Sequence, residues 1–254
     1  MRFFKKKEKF LPEVTVATSC WEGDWKYVLL EEDFIKTRKI ANHDFPFTHK
    51  MLIVNNVKDY KKVLFFANKF KEKNILSHIY LAKDYEKEML RSFQLKKEDF
   101  ISDGTQGDQK WVYYNAIAPL SAIYLCKTKY LLYMTGDVWL DEKVNWIEKS
   151  IKFMEKKEKF KVANPTWNHK YLEAKKESYR KKGDFYLANE GFSDQCFLIK
   201  VDDFQKPIYN ESRSDAAHFP GGEVFEKRVF SFMKNHGWER ITFRRGSYIH
   251  KSFE

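Results

Sequence analysis

Short apolar runs and amphipathic stretches take turns along almost the whole of this 254-residue chain. That alternation restricts it to an α/β layer architecture. VTVAT (14–18), MLIV (51–54), HIYLA (78–82), YLLYM (130–134), FKVA (160–163) and FLIKV (197–201) read as strands. Residues 58–71 carry Val63, Phe66, Ala67 and Phe70 at three- and four-residue spacing, and 86–93, 111–127 and 146–157 also read as helices. The charged stretch 170–182 reads as an exposed helix, 223–236 as a helix closed by Gly237, and 240–249 as a final extended segment. No repeat and no Pro/Ser/Gly linker divides the chain, so a single domain over 1–254 is expected.

Composition narrows the function classes. Hydrophobic residues at 43% and aromatics at 17% supply material for a core and exclude global disorder. Lys plus Arg (47) against Asp plus Glu (36) gives a net charge of +11. Such a surface attracts phosphorylated ligands, nucleic acid or an anionic membrane, and a Lys-rich coding bias explains it equally well. Zinc-finger, RNA-recognition and basic-region patterns are absent, which argues against nucleic acid, and GxxxxGK[ST] is absent, which argues against a P-loop enzyme. Cys20, Cys126 and Cys196 lie far apart, so a reducing, cytoplasmic setting fits better than a disulfide framework or a zinc site. No apolar run reaches the ~18 residues of a membrane span. At the N-terminus Lys5, Lys6, Lys7 and Lys9 stand beside Phe3, Phe4 and Phe10. They read either as a frayed tail or as a peripheral contact with anionic lipid.

Ligands of open α/β sheets collect at the carboxyl ends of the strands. Thr18, Asn55, Asp103 and Asp137 all follow predicted strands. Asp137 is the sharpest case, because a strongly apolar strand stops abruptly at Thr135-Gly136-Asp137. A carboxylate there suits Mg²⁺ or Mn²⁺ with open positions for phosphate oxygens, and Gly136 admits a close approach of backbone and sugar-phosphate. An ordinary turn aspartate is the alternative.

YLLYMTGDVWL (130–140) resembles the DxD segment of GT-A glycosyltransferases, with Thr135 at the first acid position and Asp137 at the second. PGGEVFEKRVFSFMKNHG (220–237) is similar to the segment in which an acid opens a helix facing the acceptor, and GSYIHKS (246–252) to the one whose histidine completes the metal site. The resemblance implies a three-layer fold around a mixed, mostly parallel sheet, with a nucleotide-binding half (about 12–140) and an acceptor half (about 141–254). It implies Mn²⁺ or Mg²⁺ on Asp137 and His250, and Glu223 as the base that deprotonates an acceptor hydroxyl. A helix-dipole role for Glu223 is compatible with that. ATSCWEGDW (17–25) and IVNN (53–56) resemble the loops that meet base and ribose, so Thr18, Ser19, Trp21 and Asn55 join Tyr114, Asn115, Thr135, Gly136 and Asp137 as donor-binding candidates. NEGFSDQCFLI (189–199) resembles the loop before the acceptor helix, which makes Gly191, Ser193 and Asp194, with Trp167 and Gly222, the sugar and acceptor candidates.

The function implied is transfer of a hexose or deoxyhexose from a nucleotide-diphosphate donor to a glycan or glycolipid hydroxyl, inverting and metal-assisted, in surface polysaccharide or glycoconjugate synthesis. A nucleotidyltransferase on the same sheet is the rival, although the region after Val14 offers only Gly23 where such enzymes carry a Gly-rich basic signature.

Overall fold

The computed structural model describes residues 11–100, 110–189, 191–215 and 225–252. The first part of the chain forms β1 (Val14–Cys20), α1 (Trp25–Leu30), a π-helical segment (Phe34–Ile40), β2 (His49–Val54), α2 (Tyr60–Glu72), β3 (His78–Leu81), α3 (Ala82–Ser92), α4 (Lys110–Leu125) and β4 (Tyr130–Met134). The rest forms β5 (Val138–Leu140), α5 (Ile147–Lys156), β6 (Phe160–Trp167), α6 (Tyr171–Lys176), β7 (Arg180–Lys182), β8 (Phe185–Ala188), β9 (Cys196–Lys200), α7 (Val201–Phe204), α8 (Phe225–Asn235) and β10 (Glu239–His250).

One 10-stranded sheet runs β3-β2-β1-β4-β9-β6-β10-β8-β7, with β5 paired to β10 off that path. β3, β2, β1 and β4 are mutually parallel, as βαβ crossovers require. β9 runs antiparallel between β4 and β6, so β6 and then β10 recover the direction of β4. The strand set is therefore mixed and mostly parallel, as expected.

Both faces are covered. Leu131 and Tyr133 of β4 pack with Met89, Leu120 and Val229 from α3, α4 and α8. The alternate residues Tyr130, Leu132 and Met134 pack with Ile147, Ile151 and Met154 of α5 on the other side. Burial on both faces explains why YLLYM is apolar throughout rather than alternating. Every residue of β4 is buried. Burying each such side chain contributes roughly 1.5–3 kcal/mol.

One expectation needs correction. Residues 170–182 do not form one helix: α6 ends at Lys176, and Arg180–Lys182 turn at Gly183 (φ 57°) into a hairpin with β8. The Lys/Arg side chains that read as an exposed helix face instead line an edge strand, where positive charge deters further pairing. The helix expected over 223–236 is described from Phe225 and is closed by Gly237 at φ 64°. Glu223, Gly222 and Asp103 lie outside the described residues, as do the N-terminal lysines and phenylalanines.

His43 shows how tightly the layer beneath β5 is packed. It is fully buried, it accepts a 2.9 Å hydrogen bond from Trp146 Nε1 at Nδ1, and its ring contacts Phe47. Burial, then the charge of Lys39, pushes its pKa from 6.5 down to about 3. The unfolded chain therefore binds a proton that the native state refuses between those values. The stability tied to neutral His43 is complete above pH 6.5 and is lost as pH falls toward 3, by an order-of-magnitude total of about 5 kcal/mol. His43→Gln keeps an acceptor for Trp146 and removes the titration, so its urea midpoint should fall less steeply than that of the wild type across this window.

Candidate active site

β4 delivers the site. Its last residue, Met134, is fully buried, and the chain then turns through Thr135-Gly136-Asp137 into β5. β5 pairs with the end of β10, with Val138 opposite His250. That register brings two residues 113 apart in sequence side by side: His250 Nε2 stands 3.1 Å from Asp137 Oδ2. Thr135 Oγ1 donates to the other oxygen, Oδ1, at 2.7 Å. Thr135, at the first acid position, thus orients the single acid that remains. Burial alone would raise the Asp137 pKa, but the bonds from His250 and Thr135 and the charge of Lys39 overcome it and hold the carboxyl below its ordinary range. The same bond raises the pKa of His250.

Two groups beneath the turn were not foreseen. Lys39, only 1% exposed, lies in the last turn of the π-helical segment with Nζ 2.7 Å from the Thr135 carbonyl oxygen and 2.5 Å from that of Val138. Burial lowers its pKa to about 8 against the opposing charges of Asp137 and Asp24. Asp24 accepts a bond from the Trp21 backbone N–H at 2.8 Å, and burial raises its pKa to about 7. A Cβ on Gly136 would sit 2.0 Å from Asp24 Oδ2 and 2.9 Å from the Ser19 carbonyl oxygen. The space left by the missing side chain is therefore filled by the protein itself.

The other donor candidates divide. Thr18 is buried and its Oγ1 has no partner among the described residues, while Ser19 accepts a 3.0 Å bond from Tyr133 OH. The Trp21 ring is 51% exposed and crosses Gly23, which leaves one face open for stacking. Asn55 is buried, and its Nδ2 donates to the Tyr114 carbonyl at 2.6 Å, tying the end of β2 to α4. Tyr114 is half-buried against the core, and Asn115 is exposed.

The sugar and acceptor candidates converge better. A cavity of about 460 Å³ is lined by Trp167, Gly191, Ser193, Glu226, Arg240 and Tyr248, among others. Ser193 Oγ lies 3.3 Å from Tyr248 OH, which reaches Gln195 Oε1 at 3.4 Å. Arg240 stacks 5.7 Å from the Trp167 ring and pairs with Glu177 at 2.8 Å. Gly191, at φ 93°, passes against that guanidinium, and a Cβ there would meet it at 3.1 Å. Asp194 lies between the cavity and the Asp137–His250 pair: burial and the Asp137 charge raise its carboxyl. Burial and then Asp194 do the same to Glu226. Asn168, in the left-handed region at φ 43°, accepts the His250 backbone N–H at 2.8 Å and fixes the end of β10. Glu226 and Asp24 lay inside stretches already singled out, whereas Lys39, Asn168 and Arg240 carried no distinguishing signal.

The pair fits a divalent ion as two adjacent ligands. Metal–ligand bonds of about 2.1 Å at a right angle put neighbouring donors about 3 Å apart. A carboxylate with an imidazole favours Mn²⁺ over the oxygen-preferring Mg²⁺. Among the described residues no group of three or more His, Cys, Asp or Glu side chains could hold a metal, so the remaining positions would fall to donor oxygens and water.

No family model matches this chain, and no curated protein matches it. Solved structures do. GalNAc-T7 with UDP, GalNAc and Mn²⁺ superposes with a TM-score of 0.52 at 11% identity, over 94% of this chain and 44% of that one. Mouse xyloside xylosyltransferase 1, apo form, gives 0.47 at 9% identity over 88% and 82% of the two chains. The galactosyltransferase LgtC with donor and acceptor sugar analogues gives 0.40 at 9% over 75% and 59%. Only the first carries weight, and it speaks to architecture. The fold is GT-A. The chain spans less than half the length of the GalNAc-T7 chain.

Gly136→Ala tests the packing at the turn. Its methyl must displace Asp24 or the turn itself, and overpacking of this kind costs about 1–3 kcal/mol. The expected outcome is a folded protein with a lower Tm by calorimetry.

Proposed function

We propose that this chain is a glycosyltransferase that moves a hexosyl or deoxyhexosyl group from a nucleotide-diphosphate donor to a hydroxyl of a glycan or glycolipid. The observation that carries the reading is the Asp137–His250 pair, 3.1 Å apart at the carboxyl end of β4. The nearby cavity of about 460 Å³ is of a size to take sugars. Asp137 and His250 would hold Mn²⁺, or less favourably Mg²⁺. Bound there, the ion offsets charge on the diphosphate leaving group.

The chain's own residues do the rest. Trp21, 51% exposed, offers its ring to the base, whereas the Thr18 hydroxyl lies buried beneath the surface. Trp167 is the proposed sugar-stacking ring, with the Arg240 guanidinium 5.7 Å from it in the same cavity. Ser193, Gln195 and Tyr248 offer a hydroxyl-and-amide network that matches sugar hydroxyls. Glu223 is the proposed base, removing the acceptor proton and so favouring inversion. Glu226, whose carboxyl is raised by burial and by Asp194, is suited to donating a hydrogen bond rather than accepting a proton. No helix among the described residues is long and apolar enough to cross a membrane. The proposed setting is cytoplasmic, with the basic, Phe-bearing N-terminal segment touching anionic lipid, in surface polysaccharide or glycoconjugate synthesis.

Thermal-shift measurements with UDP-, GDP-, CMP- and dTDP-sugars, each with and without Mn²⁺, test the donor reading. One donor should raise Tm, and more so with Mn²⁺; stabilisation by none would sink the proposal. Asp137→Ala should abolish the metal-dependent increment. Glu223→Gln should keep donor binding and slow transfer by about 10²–10⁴-fold, the usual weight of general base catalysis. Glu226→Gln, isosteric with the neutral acid, should stay within a few-fold of wild type. A reversal of those two results would move the base to Glu226.

A further inference from the structure

Lys39 places a cation beneath the Thr135–Asp137 turn. It is 1% exposed, and its Nζ bonds the carbonyl oxygens of Thr135 and Val138 at 2.7 and 2.5 Å, on either side of Asp137. A neutral donor would satisfy both carbonyls, so their hydrogen bonds alone do not account for a charge that is costly to bury. That charge is felt by both Asp137 and Asp24. The turn itself carries a single acid, because Thr135 occupies the other position.

We infer that Lys39 is a resident counter-cation of the donor site, a positioning residue that favours the diphosphate from beneath the turn and lowers the site's dependence on a divalent ion. The inference rests on the donor-binding reading above. Its physical basis is that a fixed charge in a low-dielectric setting acts at longer range than one in water and needs no reorganisation when the anion arrives. It has two consequences of opposite sign. Removing the charge should weaken binding of an anion at the turn and strengthen binding of a cation to Asp137 and His250. A folding lesion would weaken both.

The test uses the full chain and two titrations. UDP, GDP and dTDP are titrated calorimetrically in EDTA, and Mn²⁺ is titrated into nucleotide-free protein by electron paramagnetic resonance. Wild type should bind one diphosphate without metal. In Lys39→Gln that affinity should fall about ten-fold while Mn²⁺ affinity rises about three-fold or more, in keeping with a single charge acting through a partly screened path. Lys39→Arg, which keeps the charge, should stay within about three-fold of wild type in both titrations. Parallel losses of both affinities in Lys39→Gln would make the residue merely structural and overturn the inference. So would unchanged affinities, or a wild type that binds diphosphate only with Mn²⁺. If Lys39→Gln fails to fold, loss of metal-free binding in folded Lys39→Arg serves as the overturning result. Failure of the underlying donor reading is separately visible, as a wild type that binds no diphosphate with or without Mn²⁺.

Discussion

The site depends on a change of partner within one strand. From Arg240 to Phe243, β10 lies between β6 and β8; from Tyr248 to His250 it pairs with β5. The register with β6 slips between Phe243 and Ser247, where residues 244–246 are extra; pairing with β6 resumes at Ser247 and Tyr248, while β8 on the other edge gives way to β5. Gly246 sits in that slip, where a Cβ would come 3.0 Å from the Val144 side chain. Without the slip, His250 would continue along the sheet and would not reach the mouth of β4. The Asp137–His250 contact is thus a product of sheet register, set by residues far from either side chain.

The same mouth concentrates buried charge. Asp24, Lys39 and Asp137 share it with the half-buried His250 and Asp194, and each feels at least one of the others. Isolated, any of them would be expensive to bury. Together they offset one another, and Lys39 also bonds the carbonyl oxygens of Thr135 and Val138 on either side of Asp137. The cluster extends through Asp194 toward Glu226 and Arg240 in the cavity. Perturbed carboxyls running from the Asp137–His250 pair into a cavity follow the pattern that binding sites share.

What was legible in the sequence follows from periodicity. The YLLYM strand, the parallel β1–β2–β3 set and the helices packed on them were readable because burial dictates their patterns. Asp137 and His250 were readable as motif positions, and the fold brings them into contact. Residues 170–182 misled because a run of Lys and Glu satisfies helix propensity as well as it protects a sheet edge. β5 and β8, at three and four residues, are too short to show a period. Lys39 follows Arg38 in a stretch that looks like solvated charge, and only tertiary packing buries it. Asn55 stands where a base-binding residue was expected, yet its amide is engaged by Tyr114.

On the proposed reading, a two-ligand metal site has a thermodynamic consequence. A divalent ion held by only Asp137 and His250 lacks most of its coordination shell, so its affinity for the protein alone is low. Diphosphate oxygens complete the shell, and each partner then raises the affinity for the other by the same factor, because binding linkage is reciprocal. Lys39 works against the ion and for the anion, which shifts the balance toward nucleotide arriving first. A site with two acids and no buried lysine would bind metal strongly in advance of the donor. This one, with Thr135 in place of an acid and Lys39 beneath it, gains its ion chiefly when the donor is present.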